Sequence, residues 1–335
     1  MDKINIKILA KELNLSTSTI SRAFNGSTDI NKDTKERILA LAREHSFLPN
    51  HYASNLRDKK TKTLAVIVPE IANDFFAQAI NGIEEVARKH GFYLLLYRTD
   101  DVFEKEVSFV NYLNNGKADG IIMSASGEGN DHRYINNLAQ KNIPVVFFDR
   151  VYEDIDAAKV TTNDYDSSFA ATEHLIKTGC RKIAYLVVNK SISIGKTRMQ
   201  GYVDALQKHK IAFNDDLVID CSNEEKTNQK ILSKALKEIK PDGVFSSVER
   251  LAFATYHVCQ DLGISVPEEL KMISFSSLNI APLLSPALST ITQPAFEMGV
   301  KAATLFFEAL ENKNANMPKK HIVLKSKLFI RKSSQ

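Results

Sequence analysis

Between Ser16 and Asn25 the chain places hydroxyls at Ser16, Thr17, Ser18, Thr19 and Ser21, a guanidinium at Arg22 and an amide at Asn25. These groups suit an oxyanion or the edge of a base. Short Ser and Thr side chains let a backbone approach a phosphate closely, and a helix N-terminus adds a favourable dipole. A guanidinium can offer two parallel donors to a guanine edge in the major groove. The same residue types also suit the solvated face of two packed helices.

A second set of reactive types follows a series of short apolar runs. Asn73, Asp74, Phe75 and Phe76 come after the first run, Thr99, Asp100 and Asp101 after the second, and Ser124 and Ser126 after the third. Asp149 and Arg150 follow the fourth, and Asn163 and Asp164 the fifth. Further on stand Arg198, then Ser246, Val248 and Glu249, then Ser276 and Ser277. Carboxylates and amides hydrogen-bond hydroxyls, and phenylalanine rings give a flat apolar face. A polar small molecule such as a sugar needs both. Strand-end Asp and Asn also serve as helix caps and turn formers. None of these residues forms a catalytic pattern. The chain has no G-x-x-x-x-G-K-S/T, no G-x-G-x-x-G after a strand, no H-E-x-x-H and no G-x-S-x-G, so no enzyme activity, cofactor or metal is expected.

The elements that must position the first set are short helices. Ile6, Leu9, Ala10 and Leu13 recur at i, i+3, i+4 and i+7, with Asn5 as cap. Ser16 caps a second helix whose buried side is Ile20, Ala23 and Phe24, and which ends by turn chemistry at Asn25-Gly26. A third begins at Asn31, carries Ile38, Leu41 and Ala42 inward, and is blocked by Pro49. Two helices joined by a very short turn, the second with a hydroxyl-rich, arginine-bearing outer face, fit a helix-turn-helix. Residues 1–62 hold 12 of the 44 Lys/Arg but only 7 of the 40 Asp/Glu, so the net charge of +4 sits in this head. A basic head on a neutral body suits a polyanion.

The second set requires a different frame. From Thr63, runs at 63–69, 92–98, 119–123, 144–148 and 158–162 alternate with helical stretches, and runs at 182–188, 216–221, 242–247 and 270–275 repeat the pattern. Alternating βα units predict an α/β fold of two lobes, each a parallel sheet covered on both faces, with ligands outside the carboxyl ends of the strands. Cys180, Cys221 and Cys259 are odd in number and widely spaced, which argues against disulfides or zinc. No apolar run reaches the ~18 residues of a membrane span. The N-terminus is too polar for a secretory signal, which places the protein in the cytoplasm.

Residues 5–57 carry the ordered series Ser16, Thr19, Ile20, Ser21, Arg22, Phe24, Asn25, Gly26, then Thr34, Arg37, Ile38, then Phe47, Pro49, Asn50, Ala53, Leu56, Arg57. This series closely resembles the head of the lac repressor and purine repressor (LacI/GalR) family, with Ser46 where the family usually has glycine. The resemblance implies that Thr17, Ser18 and Arg22 read bases while Ser16, Thr19, Ser21 and Asn25 grip phosphates. It also implies a hinge helix at 51–57 in the minor groove, bearing Ala53, with Leu56 wedged between base pairs. An apolar wedge costs unstacking energy and gains a bent duplex that contacts more protein.

The resemblance extends through VPEIANDFFAQAINGIEEVARKHG, IPVVFFDR, ATEHLIKTGCRKIAYL, RMQGYVDAL and LSPALSTITQPAFEMG. It implies a two-lobed body like periplasmic sugar-binding proteins, crossed three times by the chain. The expected organisation is a helix-turn-helix head at 1–50, a hinge and linker at 51–62, and an effector-binding and dimerisation domain at 63–335. One lobe is expected to take 63–162 and 291–321, the other 163–290 and 322–335. Effector residues are expected among Asn73, Asp74, Phe75, Phe76, Ser124, Asp149, Arg150, Arg198, Glu249 and Ser276. Val248-Glu249 and Ser276 stand where the family often has Asn-Asp and Asp, which points to a different sugar, an oligosaccharide or a non-sugar. The expected function is a transcriptional regulator, chiefly a repressor, acting as a homodimer on a palindromic DNA operator under control of a small-molecule effector. The alternative is a small-molecule binding protein of the periplasmic type.

Overall fold

The computed structural model describes residues 5–24, 29–45, 47, 61–127, 129, 131–311 and 320–335. It divides into two compact units, Met1–Thr61 and Lys62–Gln335.

In the first unit, helices Ile6–Glu12, Thr17–Phe24 and Lys32–Glu44 surround a small core of Ala10, Ile20, Ala23 and Ile38. Each helix starts where a side chain can satisfy orphan amides. Asn5 accepts from the amides of Lys7 and Ile8, Ser16 Oγ from that of Thr19, and Asn31 from that of Asp33. Asn14 turns the chain between the first two helices at φ 56°, a left-handed value that asparagine tolerates. The Phe24 and Phe47 rings close the core at 5.8 Å between centroids. The expected hinge helix at 51–57, with Ala53 and Leu56, and the expected turn at Asn25 lie outside the described residues.

The second unit holds two six-stranded sheets. The first lobe is built from β1 (Thr63–Val68), β2 (Tyr93–Arg98), β3 (Gly120–Met123), β4 (Val145–Phe148) and β5 (Ala158–Thr162). The chain then builds the second lobe from β6 (Ile183–Val187), β7 (Val218–Asp220), β8 (Gly243–Ser246), β9 (Lys271–Phe275) and β10 (Ser289–Thr292). It returns with the helix Ala295–Glu311 and β11 (His321–Leu324), then ends in the second lobe with β12 (Lys327–Phe329). The sheet orders are β11-β5-β4-β3-β1-β2 and β12-β10-β9-β8-β6-β7, parallel throughout except that β12 runs against β10.

Strand alternation explains why both faces are covered. Leu64, Val66 and Val68 of β1 face the helices Asp74–Lys89 and Ala295–Glu311, while Ala65 and Ile67 face Phe103–Leu113 and Arg133–Gln140. The second sheet divides in the same way. Ala184 and Leu186 pack towards Glu225–Glu238 and Glu249–Leu262, and Ile183, Tyr185 and Val187 towards Asp164–Lys177 and Ser193–Lys208. Gly82 and Gly299 let the two helices of the first lobe touch. A Cβ on Gly82 would lie 2.1 Å from the Phe296 carbonyl oxygen, and one on Gly299 2.0 Å from that of Ala79.

The lobe boundaries drawn from the sequence need correction at two places. Residues 322–324 belong to the first lobe, because β11 pairs with β5 from His321 to Leu324, and the last crossing falls at Lys325–Ser326. Ile291 and Thr292 belong to the second lobe, because β10 pairs there with β9 and β12. Strands β10, β11 and β12 had no counterpart among the apolar runs.

Candidate functional site

The head presents its hydroxyls on one side of the helix Thr17–Phe24. Ile20 and Ala23 are buried, whereas Thr17, Ser18 and Arg22 are exposed and Thr19 and Ser21 half-buried. Ser18 and Arg22 are one turn apart and share that side. Ser16 Oγ, at the N-cap, is 2.7 Å from Ser18 Oγ and 2.8 Å from Thr19 Oγ1. The hydroxyls are therefore held as a linked group at the positive end of the helix, and Arg22 stands in its last turn.

The body presents a cleft, partly open to solvent, where the carboxyl ends of the two sheets face one another. From the first lobe come Asn73, Phe75, Phe76, Asp149 and Arg150, and from the second Arg198, Glu249 and Ser276. Asn73 does two jobs. Its Oδ1 caps the following helix through the amides of Phe75 (3.0 Å) and Phe76 (3.4 Å), which leaves the Nδ2 amide as its free hydrogen-bonding group towards the cleft. The Phe75 and Phe76 rings meet edge to face at 5.1 Å and form an apolar floor.

Asp149 ends β4 in the left-handed region at φ 61°, fixed by its amide's bond to the Val160 carbonyl at 2.9 Å. Burial pushes its carboxyl up to about 6, against the opposing pull of Arg198 and Arg150. Its bond with a side-chain donor comes from Gln293, whose Nε2 also reaches Thr162 Oγ1. Arg150 is turned to Asp101, and its buried Nε, which has no hydrogen-bond partner among the described residues, lies 3.9 Å from Asp149 Oδ2. Glu249 is likewise raised by burial, which the Ser276 hydroxyl donating to it partly offsets and the charge of Asp74 reinforces.

Arg198 is almost wholly buried. Its Nε donates to Asp164 Oδ1 at 2.6 Å, its Nη1 to the Ser247 carbonyl at 2.7 Å, and its guanidinium lies 3.6 Å over the Phe275 ring. The cleft thus combines a buried acid, Asp149, and a half-buried one, Glu249, with arginines already engaged and aromatic walls. Such a site accepts hydroxyl donors from a polyhydroxylated ligand and stacks its apolar face.

Two expected residues do not line the cleft. Ser124 is turned into the first lobe, fully buried, with its hydroxyl unpartnered among the described residues and its amide bonded to the Ile67 carbonyl. Asp74 stands in the first turn of its helix and acts on Glu249 only through its charge. Conversely, the cleft includes Ile194, Arg250, Phe275 and Gln293, which were not among the candidates, and Val248 and Ser277, which were strand-end candidates outside the expected effector set. Gln293 was hidden because β10, which it follows, has no apolar run long enough to mark a strand. Arg250 lies one residue past Glu249, so the strand-end rule reaches it if extended by one position.

Direct contacts join the lobes across the cleft. Gln78 Nε2 donates to the Ser277 carbonyl at 3.0 Å, the Val151 amide to Ser193 Oγ at 3.1 Å, and Arg250 to Glu70 at 2.9 Å. No group of His, Cys, Asp or Glu among the described residues could hold a metal ion, and no described helix is long and apolar enough to cross a membrane.

Comparison with known proteins adds independent findings. Residues 5–50 match the family model "Bacterial regulatory proteins, lacI family", and residues 61–332 match "Periplasmic binding proteins and sugar binding domain of LacI family". The chain is similar to a ribose operon repressor of Haemophilus influenzae, at 28% identity over 98% of both chains. It is also similar to catabolite control protein A of Priestia megaterium, at 27% identity over 90% of this chain and 91% of the relative. A solved LacI family transcriptional regulator from Enterococcus faecium, with bound ribose, superposes with a TM-score of 0.73 at 25% identity, over 81% of this chain and 98% of that one.

Proposed function

The chain belongs to the LacI family of bacterial regulatory proteins, and from that premise we propose a repressor whose hold on its operator is set by a polyhydroxylated effector in the interlobe cleft. It is a DNA-binding transcriptional regulator with a sugar-binding type of body. The observation that carries the effector reading is the placing of the buried Asp149 carboxyl and the half-buried Glu249 carboxyl beside the Phe75 and Phe76 rings in one cleft. The carboxyls take hydroxyls, and the rings take the C–H face of a sugar.

The protein acts as a homodimer in the cytoplasm, and its two-fold symmetry matches a palindromic operator. Thr17, Ser18 and Arg22 meet base edges, and Ser16, Thr19, Ser21 and Asn25 meet phosphates. Residues 51–57, with Ala53 and Leu56, enter the minor groove. Effector binding changes the closure of the two lobes and so the state of that segment. This requires the effector to bind the two states with different affinity.

The test has two arms on the full-length protein. A thermal-shift screen against a monosaccharide and glycoside panel should find a compound that raises the melting point, since a ligand of the native state alone stabilises it. Fluorescence anisotropy on duplexes from upstream of the protein's own gene should show salt-sensitive, sequence-preferring binding that the same compound alters. Duplex binding indifferent to every stabilising compound refutes the effector reading.

A further inference from the structure

Glu106 is a buried acid that the cleft does not use. It lies in the helix Phe103–Leu113 with no exposure to solvent. Its Oε2 accepts from both the amide and the hydroxyl of Ser126, each at 2.7 Å. Its Oε1 accepts from the Tyr152 hydroxyl at 3.0 Å and from that of Tyr134. These bonds fill the acceptor sites of a carboxyl. The Gly127 amide then donates to the Tyr152 oxygen at 3.2 Å. One side chain thereby ties the turn after β3 to the turn after β4, the strand end that carries Asp149 and Arg150. A buried polar network whose members are all satisfied rigidifies what it joins.

What it holds is a surface set against the other lobe. Gly127 has φ 84°, in the left-handed region. A Cβ there would lie 2.2 Å from Ile192 Cγ2 and 3.1 Å from Ile192 Cβ. Ile192 is buried, immediately before the second-lobe helix Ser193–Lys208 that carries Arg198. It is β-branched and stiff at χ1, and turning that bond leaves its own Cβ where it is. At the next residue, Ser193 Oγ accepts from the Val151 amide at 3.1 Å. The two turns that Glu106 ties therefore meet the second lobe at successive residues, Ile192 and Ser193.

We propose that Glu106 and Gly127 together form a closure stop for the two lobes. Glu106 is a positioning residue that fixes the turn Ser124–Gly127, and the bare Cα of Gly127 against Ile192 sets how closely the lobes approach. The stop acts whatever ligand the cleft takes, so it does not depend on the sugar reading. Because carbon atoms rest at ~3.5–4.0 Å, a Cβ at position 127 has to move the lobes apart by about 1–2 Å.

The experiment measures the distance between two spin labels, one on each lobe, by double electron–electron resonance on the full-length protein. Ser108→Cys and Lys230→Cys place the labels at exposed positions on the helices Phe103–Leu113 and Glu225–Glu238, and Cys180, Cys221 and Cys259 are buried. Gly127→Ala should shift the mean distance upward by about 1–2 Å. Adding Ile192→Ala should return it to the wild-type mean, whereas strain confined to the turn would not respond to that second change. Glu106→Leu strips four donors of their acceptor and should broaden the distribution. Glu106→Gln should narrow it again, since its carbonyl oxygen still takes the Ser126 donors and its amide donates to the tyrosine oxygens. Should Glu106→Leu fail to fold, the Gly127 and Ile192 variants decide. An unchanged mean in Gly127→Ala, or a lengthened mean that Ile192→Ala leaves in place, overturns the stop. A wild-type width in Glu106→Leu overturns the part assigned to Glu106.

Discussion

Arg198 and Asp164 meet at 2.6 Å with both side chains almost wholly out of solvent, and Phe275 seals the guanidinium from one face. The pair joins the helix that follows the first interlobe crossing to the helix that follows β6. An arginine expected to serve the ligand is therefore also part of the interior of the second lobe.

Two effects of Arg198→Ala follow. Breaking a buried pair by removing one partner costs about 3–5 kcal/mol, because the other charge is left uncompensated. The variant should show a lowered urea midpoint as well as loss of effector response. Arg198→Lys keeps the charge without the planar fork, so it should recover much of the stability and little of the response. A wild-type urea midpoint for Arg198→Ala would remove the pair from the stability of this lobe.

Asp149 carries a cost that the ligand can relieve. Its carboxyl is raised by burial from 3.8 to about 6. The folded state therefore holds this proton more tightly than the unfolded chain between about pH 4 and 6. Stability from this group falls as pH rises across that window and is level above it. Asp149→Asn removes the charge and tolerates the left-handed backbone. It should stabilise the protein at pH 7.5 by on the order of 2 kcal/mol, with the gain vanishing near pH 4. Effector affinity of the native protein should rise from pH 5 to 7, since ligand hydroxyls favour the ionised carboxyl. Chemical denaturation and titration across this range check both, and a pH-independent gain would sink the assignment.

Gln293 ties the second crossing to Asp149 (3.3 Å) and to Thr162 at the first crossing (3.0 Å). Gln293→Leu keeps the volume and removes the donors, leaving two buried acceptors short of a partner at a cost of about 1–3 kcal/mol each. Because these groups lie where the lobes meet, the variant should also change how far effector shifts operator affinity. A stable variant with an unaltered shift would confine Gln293 to packing.

Arg22 is exposed in the last turn of the helix Thr17–Phe24. Arg22→Ala should weaken operator binding by about 1–3 kcal/mol and relax preference at one base pair. Competition assays against single-base operator variants measure both. Unchanged discrimination with weaker binding would reassign Arg22 to phosphate contact.

The sequence by itself determined the local features. Asn5, Ser16 and Asn31 cap the three head helices because a short acceptor side chain reaches its own amides two or three residues on. Buried parallel strands such as Ile183–Val187 were legible because burial on both faces demands nearly unbroken apolar runs. The βα alternation gave two lobes and directed attention to strand ends, where Asp149, Arg150, Glu249 and Ser276 were found, while Arg198, inside the helix Ser193–Lys208, came from the family resemblance. Only the tertiary structure decided which of those ends face the cleft. Ser124 turns inward, while Gln293 and Arg250 turn to the ligand side, because the side-chain direction at a strand end depends on how the chain leaves the sheet. It also decided that β11 crosses back to pair with Ala158–Thr162, a partner far away in sequence. Short edge strands are held by distant hydrogen bonds rather than by their own periodicity, so no local pattern could mark them.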